Sequence, residues 1–158
     1  MSAPDSVSSS ASYVNFLNSL MSDSTHALTV TLRRDSGKPN DLDQRLRLEE
    51  TLRCSLWFIA RATFKKRHRR ENVQIGSVCV IETGGFQNRM HAHLALACPI
   101  FEPHPRFELN VRRSVARCRS LGKEFELKPI YDSAGWASYL SKQGPEALSP
   151  LCTQPAIY

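Results

Sequence analysis

The fold is decided by residues 73–98, which read VQIGSVCVIETGGFQNRMHAHLALAC. Two β-rich and mostly apolar runs, residues 73–82 and 91–98, stand on either side of the short segment TGGFQNR. The two glycines of that segment supply the unusual backbone angles that tight connections need. The pattern predicts two strands joined as a hairpin, so we expect an antiparallel sheet.

The rest of the chain supplies strands and helices around this hairpin. Upstream, HALTVTLRR predicts a buried strand, and leucines at helical spacing from residue 41 onward predict a long helix that ends in KKRHRR. Downstream, the pattern predicts a basic helix, a short strand and a last helix, at residues 107–121, 124–130 and 134–143. The order β–α–β–β–α–β–α predicts an α+β fold. We expect a central antiparallel sheet of about four to five strands with flanking helices, related to the split βαβ pattern of ferredoxin-like folds.

Composition sets the domain organisation and the broad class. The chain has 158 residues, of which 41% are hydrophobic and 23% charged, which is typical of a globular domain. Residues 1–24 are expected to be mostly disordered, residues 25–145 to form the domain, and residues 146–158 to be a loose tail. No run approaches the roughly 20 apolar residues of a membrane helix, and no signal peptide is visible. Five widely spaced cysteines argue against a disulfide framework or a zinc ribbon.

A net charge of +6 favours an anionic partner, and a DNA backbone is a common one. Basic side chains gather in two clusters, which we expect to contact phosphates: Arg33, Arg34, Lys65, Lys66, Arg67, Arg69 and Arg70. Phe86 in the hairpin loop is a candidate for stacking on a base of a single strand. The alternatives are a solvated helix end for the clusters and a local packing contact for Phe86. KKRHRR also fits a nuclear localisation patch.

Two histidines and one carboxylate form a candidate metal site. His91 and His93 lie on the same face of the predicted strand, about 7 Å apart along it. Glu82 ends the preceding strand, and the hairpin brings it beside them. A mixed oxygen and nitrogen site of this kind suits Mg²⁺ or Mn²⁺. The alternative is a pair of surface histidines beside a solvated strand-end carboxylate.

The last predicted helix carries a candidate nucleophile. Tyr139 shares a helical face with Lys142 and Gln143. A tyrosine can act as a covalent nucleophile, and a lysine can stabilise charge that develops on a phosphate. The alternative is a tyrosine that packs the helix beside a solvated lysine. Tyr131 lies eight residues earlier, before the helix, and is interpreted as structural or base-stacking.

These motifs together resemble those of the HUH endonuclease superfamily. The matching stretches are Thr29-Val30-Thr31-Leu32, then Glu82 with His91-Ala92-His93-Leu94, then Tyr139-Leu140-Ser141-Lys142. They are most similar to the single-tyrosine rolling-circle replication initiators of the Rep type, over roughly residues 26–144. Such proteins carry a first-strand motif, a His-hydrophobic-His motif and a YxxK motif in this order. Ala92 is smaller than the hydrophobic residue usual between the histidines.

The resemblance implies a role for each of these residues. His91, His93 and Glu82 would bind Mn²⁺ or Mg²⁺. Tyr139 would attack a phosphate of single-stranded DNA at an origin or hairpin, leaving a 5′-phosphotyrosine and a free 3′-OH, with Lys142 assisting. Similar enzymes prime replication from that 3′ end and later rejoin the strand.

Several alternatives stay open at this point. Gln143 completes a YxxxQ pattern similar to that of small transposases, in which the glutamine is a further metal ligand. A relaxase, a DNA-binding module without chemistry and a metal-dependent hydrolase that does not use the tyrosine are the other candidates. A P-loop motif is absent from the sequence, so a host helicase and polymerase are expected partners. The expected location is the bacterial cytoplasm, or the host nucleus if the source is a eukaryotic virus.

Overall fold

A computed structural model of the protein describes residues 6–34, 40–83 and 89–158. The tip of the predicted hairpin, with Phe86, lies outside the described residues. In chain order the elements are α1 (Ser6–Leu20), β1 (His26–Thr31), α2 (Asp41–Phe64), α3 (Arg67–Arg70), β2 (Ser77–Glu82), β3 (His91–Leu96), α4 (His104–Arg117), β4 (Glu126–Pro129), α5 (Ser133–Ser141) and a 3₁₀ turn (Pro145–Ala147).

The four strands form one antiparallel sheet in the order β2-β3-β1-β4. The predicted hairpin strands β2 and β3 pair directly, and β1 inserts between β3 and β4. The α+β class with a central antiparallel sheet and flanking helices is therefore confirmed. The register places Glu82 opposite His91 and Thr29 opposite His93, at one end of the sheet.

One face of the sheet packs against α2 and α4. The side chains of Ala92, Leu94 and Leu96 point to this side, as the strand alternation predicts. They meet apolar residues of the two helices, among them Leu52, Ile59, Phe107 and Val111, all nearly inaccessible to solvent. This is the larger of the two cores. The side chains of His91 and His93 lie on the opposite face of β3.

The other face packs against α1 and α5. Leu17 and Met21, in and just after α1, are fully buried with Leu140 of α5 and with Val80 and Ala95 of the sheet. The expectation that residues 1–24 are mostly disordered is therefore wrong for α1. The apolar residues that dock α1 recur at helical spacing on one side, which α5 and the sheet cover, whereas Phe16 and Leu20 stay exposed. Residues 1–5 lie outside the described part.

Residues at the N-termini of three helices explain where those helices begin. The side chain of Asn40 accepts from the backbone N–H of Asp43 at 2.8 Å, so it caps α2. Asp132 caps α5 in the same way, accepting from Gly135 at 2.9 Å. The basic helix α4 starts at His104, earlier than predicted, because a proline is well suited to the first turn of a helix.

The C-terminal residues cover the open edge of the sheet. Isolated bridges join Leu148 to Val80 and Gln154 to Ser77, along the outer side of β2. The guanidinium of Arg45 in α2 donates to the carbonyls of Glu146 and Leu148, both at 3.0 Å. The prediction of a loose tail over 146–158 is wrong because the unpaired backbone groups of an edge strand offer partners that the sequence pattern does not reveal.

Two further observations complete the fold. All five cysteines are free thiols, and all but Cys54 are buried. Among the helices that the structure describes, none is long and apolar enough to cross a membrane.

Candidate functional site

The register of β2 and β3 brings Glu82, His91 and His93 together on the α5 side of the sheet. Glu82 Oε2 is 2.8 Å from His91 Nε2 and 3.4 Å from His93 Nε2. The three ligand atoms all lie within 4.8 Å of one another. Glu82 and His93 are only 5% and 4% exposed, so water cannot fully solvate this group. The predicted acid and imidazole cluster is therefore present in the fold.

Each histidine is oriented through its Nδ1 atom. His91 Nδ1–H donates to the carbonyl of Arg89 at 3.2 Å, which leaves a lone pair on Nε2. His93 Nδ1 is 2.9 Å from the hydroxyl of Thr29, which accepts from it in the tautomer that leaves Nε2 free. Metal-binding histidines are commonly held by such a bond from the other ring nitrogen. Both free nitrogens then face the carboxylate of Glu82.

The pKa shifts of Glu82 and His93 favour an ionised carboxylate and a neutral imidazole, the forms that bind a metal ion. Burial raises the pKa of Glu82, but His93, His91 and Lys142 together lower it more, and the net shift is downward. Burial lowers the pKa of His93, and the Glu82 carboxylate opposes this only in part. At neutral pH the acid is therefore ionised and His93 is neutral, as binding a cation requires.

Three observations show that these residues could hold a metal ion. The short contact between His91 Nε2 and Glu82 Oε2 joins two lone-pair atoms, so a proton or a cation must lie between them. Two ligands at right angles, each about 2.1 Å from a small ion, stand about 3 Å apart, close to the separations found here. Glu82 Oε1 is buried and, among the described residues, makes no hydrogen bond.

Helix α5 places Tyr139 over this group. The Tyr139 hydroxyl is 3.4 Å from His93 Nε2, and the side chain is 39% exposed, so a ligand can reach it. Lys142 Nζ is 3.5 Å from Glu82 Oε1 and 4.0 Å from the centre of the Tyr139 ring. The structure thus brings the predicted phenol and lysine to the predicted metal ligands. By contrast, Tyr131 is 93% exposed and lies before the other end of α5, so it packs no part of the fold.

Trp136 also belongs to this site, although no sequence pattern selected it. Its ring stacks on Tyr139, with centroids 5.0 Å apart and planes at 15°, and meets His93 edge-on at 6.0 Å. The Tyr139 ring therefore contacts both an indole and the Lys142 ammonium. The spacing of three residues on either side of Tyr139 was the available signal, because such residues share a helix face.

A cleft of about 960 Å³ opens beside the cluster and Tyr139. The charged residues of its lining are Arg33, Arg34, Glu82, Arg89, Lys123, Glu124 and Lys142. The first predicted basic pair is therefore at the site, with Lys123 and Arg89 as additions that the sequence analysis did not select. Gln143 is exposed and also lines the cleft, just beyond α5. Its role as a further ligand stays a prediction.

The second predicted basic cluster lies elsewhere. Lys65, Lys66, Arg67, Arg69 and Arg70 follow the C-terminal end of α2, which begins after the site end of β1 and runs for 24 residues. A helix of that length spans about 36 Å, so the cluster lies at the opposite end of the sheet from the cleft. None of the five lines the cleft, and Arg67 is paired with Glu71 at 2.9 Å. Contact between this cluster and DNA stays a prediction.

Comparison of the chain with protein-family models, with curated proteins and with solved structures gives no match.

Proposed function

We propose that the chain is a metal-dependent endonuclease that nicks single-stranded DNA with Tyr139 as the nucleophile. The observation that carries the proposal is the position of the Tyr139 hydroxyl, 3.4 Å from a nitrogen of the Glu82–His91–His93 group. A half-exposed phenol, a group that could hold a cation and a lysine meet at the wall of one basic cleft. Each part has ordinary alternatives, but their meeting suits attack on a phosphodiester.

The proposed step exchanges one phosphate ester for another. The oxygen of Tyr139 forms a bond to phosphorus, while the bond from phosphorus to the 3′ oxygen of the preceding nucleotide breaks. The phenol loses its proton, and the departing 3′ oxygen gains one. The products are a 5′-phosphotyrosine and a free 3′-OH, and the reverse reaction rejoins the strand.

The chain's own residues have distinct parts in this step. Glu82, His91 and His93 would hold the divalent ion, which when bound supplies Lewis-acid polarisation of the phosphoryl oxygens. The Glu82 carboxylate suits Mn²⁺ or Mg²⁺, the ions that the resemblance implies, whereas the two imidazoles suit Zn²⁺ and other transition metals as well. Lys142 carries its positive charge between Tyr139 and Glu82, where it stabilises negative charge developing on the phosphate.

The cleft favours a single strand of DNA as the ligand. Five of its lining residues are basic and two are acidic, and one of the acidic residues is Glu82, already assigned to the cation. An extended polyanion suits such a surface. A phenol at the wall of a cleft reaches a backbone phosphate of a flexible strand more readily than one of a stiff duplex.

The test is a covalent adduct with a labelled oligonucleotide. Because the 5′-phosphotyrosine retains the DNA on the 3′ side of the nick, a label at the 3′ end should move with the protein on a denaturing gel. A label at the 5′ end should leave in the free fragment. A pool of random-sequence oligonucleotides and a circular single strand serve as substrates, with Mn²⁺, Mg²⁺, Zn²⁺ or EDTA. We expect adducts with Mn²⁺ or Mg²⁺ and none with EDTA.

Two substitutions make the test specific to the nucleophile. Tyr139→Phe should abolish the adduct, whereas Tyr131→Phe, a matched change just before the N-terminal end of α5, should leave it intact. Cleavage that survives Tyr139→Phe would instead support a hydrolase that does not use the phenol. Binding without cleavage in every metal would support a module without chemistry.

Initiation of rolling-circle replication is the most specific form of the proposal. It follows from the motif order of the sequence, and transposition or conjugative transfer would use the same nick. The free 3′-OH would prime a polymerase, and a separate helicase would open the duplex. Extension of that 3′ end by added polymerase on a nicked circle is the experiment that distinguishes initiation from simple cleavage.

A further inference from the structure

Arg89 stands beside the candidate metal ligands, and its side-chain Nε finds no hydrogen-bond partner among the described residues. Its backbone is anchored, because its carbonyl accepts from His91 and the carbonyl of the next residue, Met90, accepts from Leu32 at 2.9 Å. Its side chain lines the same cleft as Tyr139. The residue is therefore held at a defined place, two positions before a candidate ligand.

The guanidinium of Arg89 has an unmet hydrogen-bonding need. Its Nε atom is buried and, in the described part of the chain, has no hydrogen-bond partner. Arg89 also takes part in no ion pair with any described acidic residue. A buried N–H without an acceptor is costly, and the cost is larger when the group carries charge. Such a group is expected where a ligand supplies the missing acceptor.

The acceptor that fits is an oxygen of a phosphate. Glu82, the nearest acid in the chain sequence, already contacts His91, His93 and Lys142, so it does not neutralise Arg89. The cleft as a whole carries an excess of basic side chains. A guanidinium presents its N–H groups in a planar fork that matches the oxygens of a phosphate.

We infer that Arg89 binds one particular backbone phosphate of the strand that occupies the cleft, and so sets the register of that strand against Tyr139. The inference rests on the proposed function only for the choice of DNA as the ligand. Arg89 is a positioning residue in this scheme, because its contact fixes which phosphodiester meets the phenol.

The experiment couples Arg89 to individual phosphates. Binding of a fluorescent oligonucleotide is measured by anisotropy with Mn²⁺ present, in a Tyr139→Phe background so that no cleavage occurs. Each phosphate of the oligonucleotide is replaced in turn by a neutral methylphosphonate. Arg89→Gln is compared with Arg89→Lys and with Arg53→Gln, which removes an exposed arginine of α2 that does not line the cleft. Thermal unfolding of each variant checks the fold.

One phosphate should be coupled to Arg89. Losing a charge-assisted hydrogen bond weakens binding by about 10- to 100-fold. We expect that loss from Arg89→Gln, the same loss from one methylphosphonate, and no further loss when both are present. Arg89→Gln should also reduce the slope of log K against log[salt] by about 0.7, and Arg89→Lys should recover that slope. Arg53→Gln should show no coupling.

The outcomes separate this inference from the proposed function. If Arg89→Gln binds as tightly as its parent, or its effect multiplies with that of every methylphosphonate, the inference is wrong even if adducts form with Tyr139 intact. If coupling is found but no adduct ever forms, Arg89 is a phosphate contact and the nuclease proposal fails. If the parent protein binds no oligonucleotide, both are overturned.

Discussion

Replacing Thr29 by valine should weaken metal binding without touching a metal ligand. The Thr29 hydroxyl is 2.9 Å from Nδ1 of His93, and His93 is only 4% exposed. Valine has nearly the same shape but no hydroxyl, and water has little access to take its place. The Nδ1 proton then has no acceptor, so it moves to Nε2, where the carboxylate of Glu82 can accept it. A metal must displace that proton before it can bind.

The size of the effect follows from the role of the bond. Loss of a partner that orients a metal-binding histidine typically weakens metal binding 10- to 100-fold, about 1.4 to 2.7 kcal/mol. Isothermal titration with Mn²⁺ at pH 7 measures the change directly. The matched control is Thr31→Val, two residues along the same face of β1. Within the described residues, the Thr31 hydroxyl makes no hydrogen bond to a histidine.

Two results would refute this reasoning. One is a Thr29→Val protein that binds Mn²⁺ as tightly as the parent. The other is a Thr31→Val protein that loses as much affinity as Thr29→Val, since the effect would then come from general disturbance of the strand. Either result would mean that the tautomer of His93 is not set by Thr29.

Three further predictions test the surroundings of the site. Leu17→Ala should lower the free energy of unfolding, measured in urea, by about 2 to 5 kcal/mol, because Leu17 is fully buried. Leu20→Ala, at a 40% exposed position, should lower it by less than about 1 kcal/mol. Equal effects of the two substitutions would mean that α1 is not docked. Trp136→Ala should slow adduct formation at saturating DNA and Mn²⁺ by about tenfold or more, because Tyr139 is then placed less firmly. Trp136→Phe should recover most of the rate. An unchanged rate in the alanine variant would contradict the stacking role. Burial lowers the pKa of His26, so the unfolded chain binds more protons, and stability should fall as the pH drops below the ordinary histidine pKa of about 6.5. The urea midpoint should be lower at pH 5.5 than at pH 7.5, and His26→Gln should reduce this difference. An equal midpoint at both pH values in the parent protein would contradict the prediction.

The sequence predicted the candidate metal ligands, because their proximity depends on short-range geometry. Strand alternation puts His91 and His93 on one face, and a hairpin joins neighbouring strands, so Glu82 had to arrive beside them. The position of Tyr139 needed more than alternation. It depended on α5 crossing the same face of the sheet, which came from the motif order of the resemblance rather than from periodicity.

Residues whose roles arise from tertiary packing escaped the sequence analysis. Nothing in the composition of α1 separates a docked helix from a disordered segment, because only a few apolar side chains decide it. Trp136 is singled out by the ring of Tyr139 on which it stacks. Arg89 is singled out by its buried Nε, which has no hydrogen-bond partner among the described residues. The basic run that begins at Lys65 shows the opposite case, a strong sequence signal that folding carries to the end of the molecule away from the cleft.

The segment along the outer side of β2 has a practical consequence for handling the protein. A version shortened before Leu148 would present a bare row of amide and carbonyl groups, and two such molecules could join through them into dimers or fibrils. Purification handles are therefore better placed ahead of α1 than on the last residues, where a bulky extension would disturb the backbone pairing that covers β2.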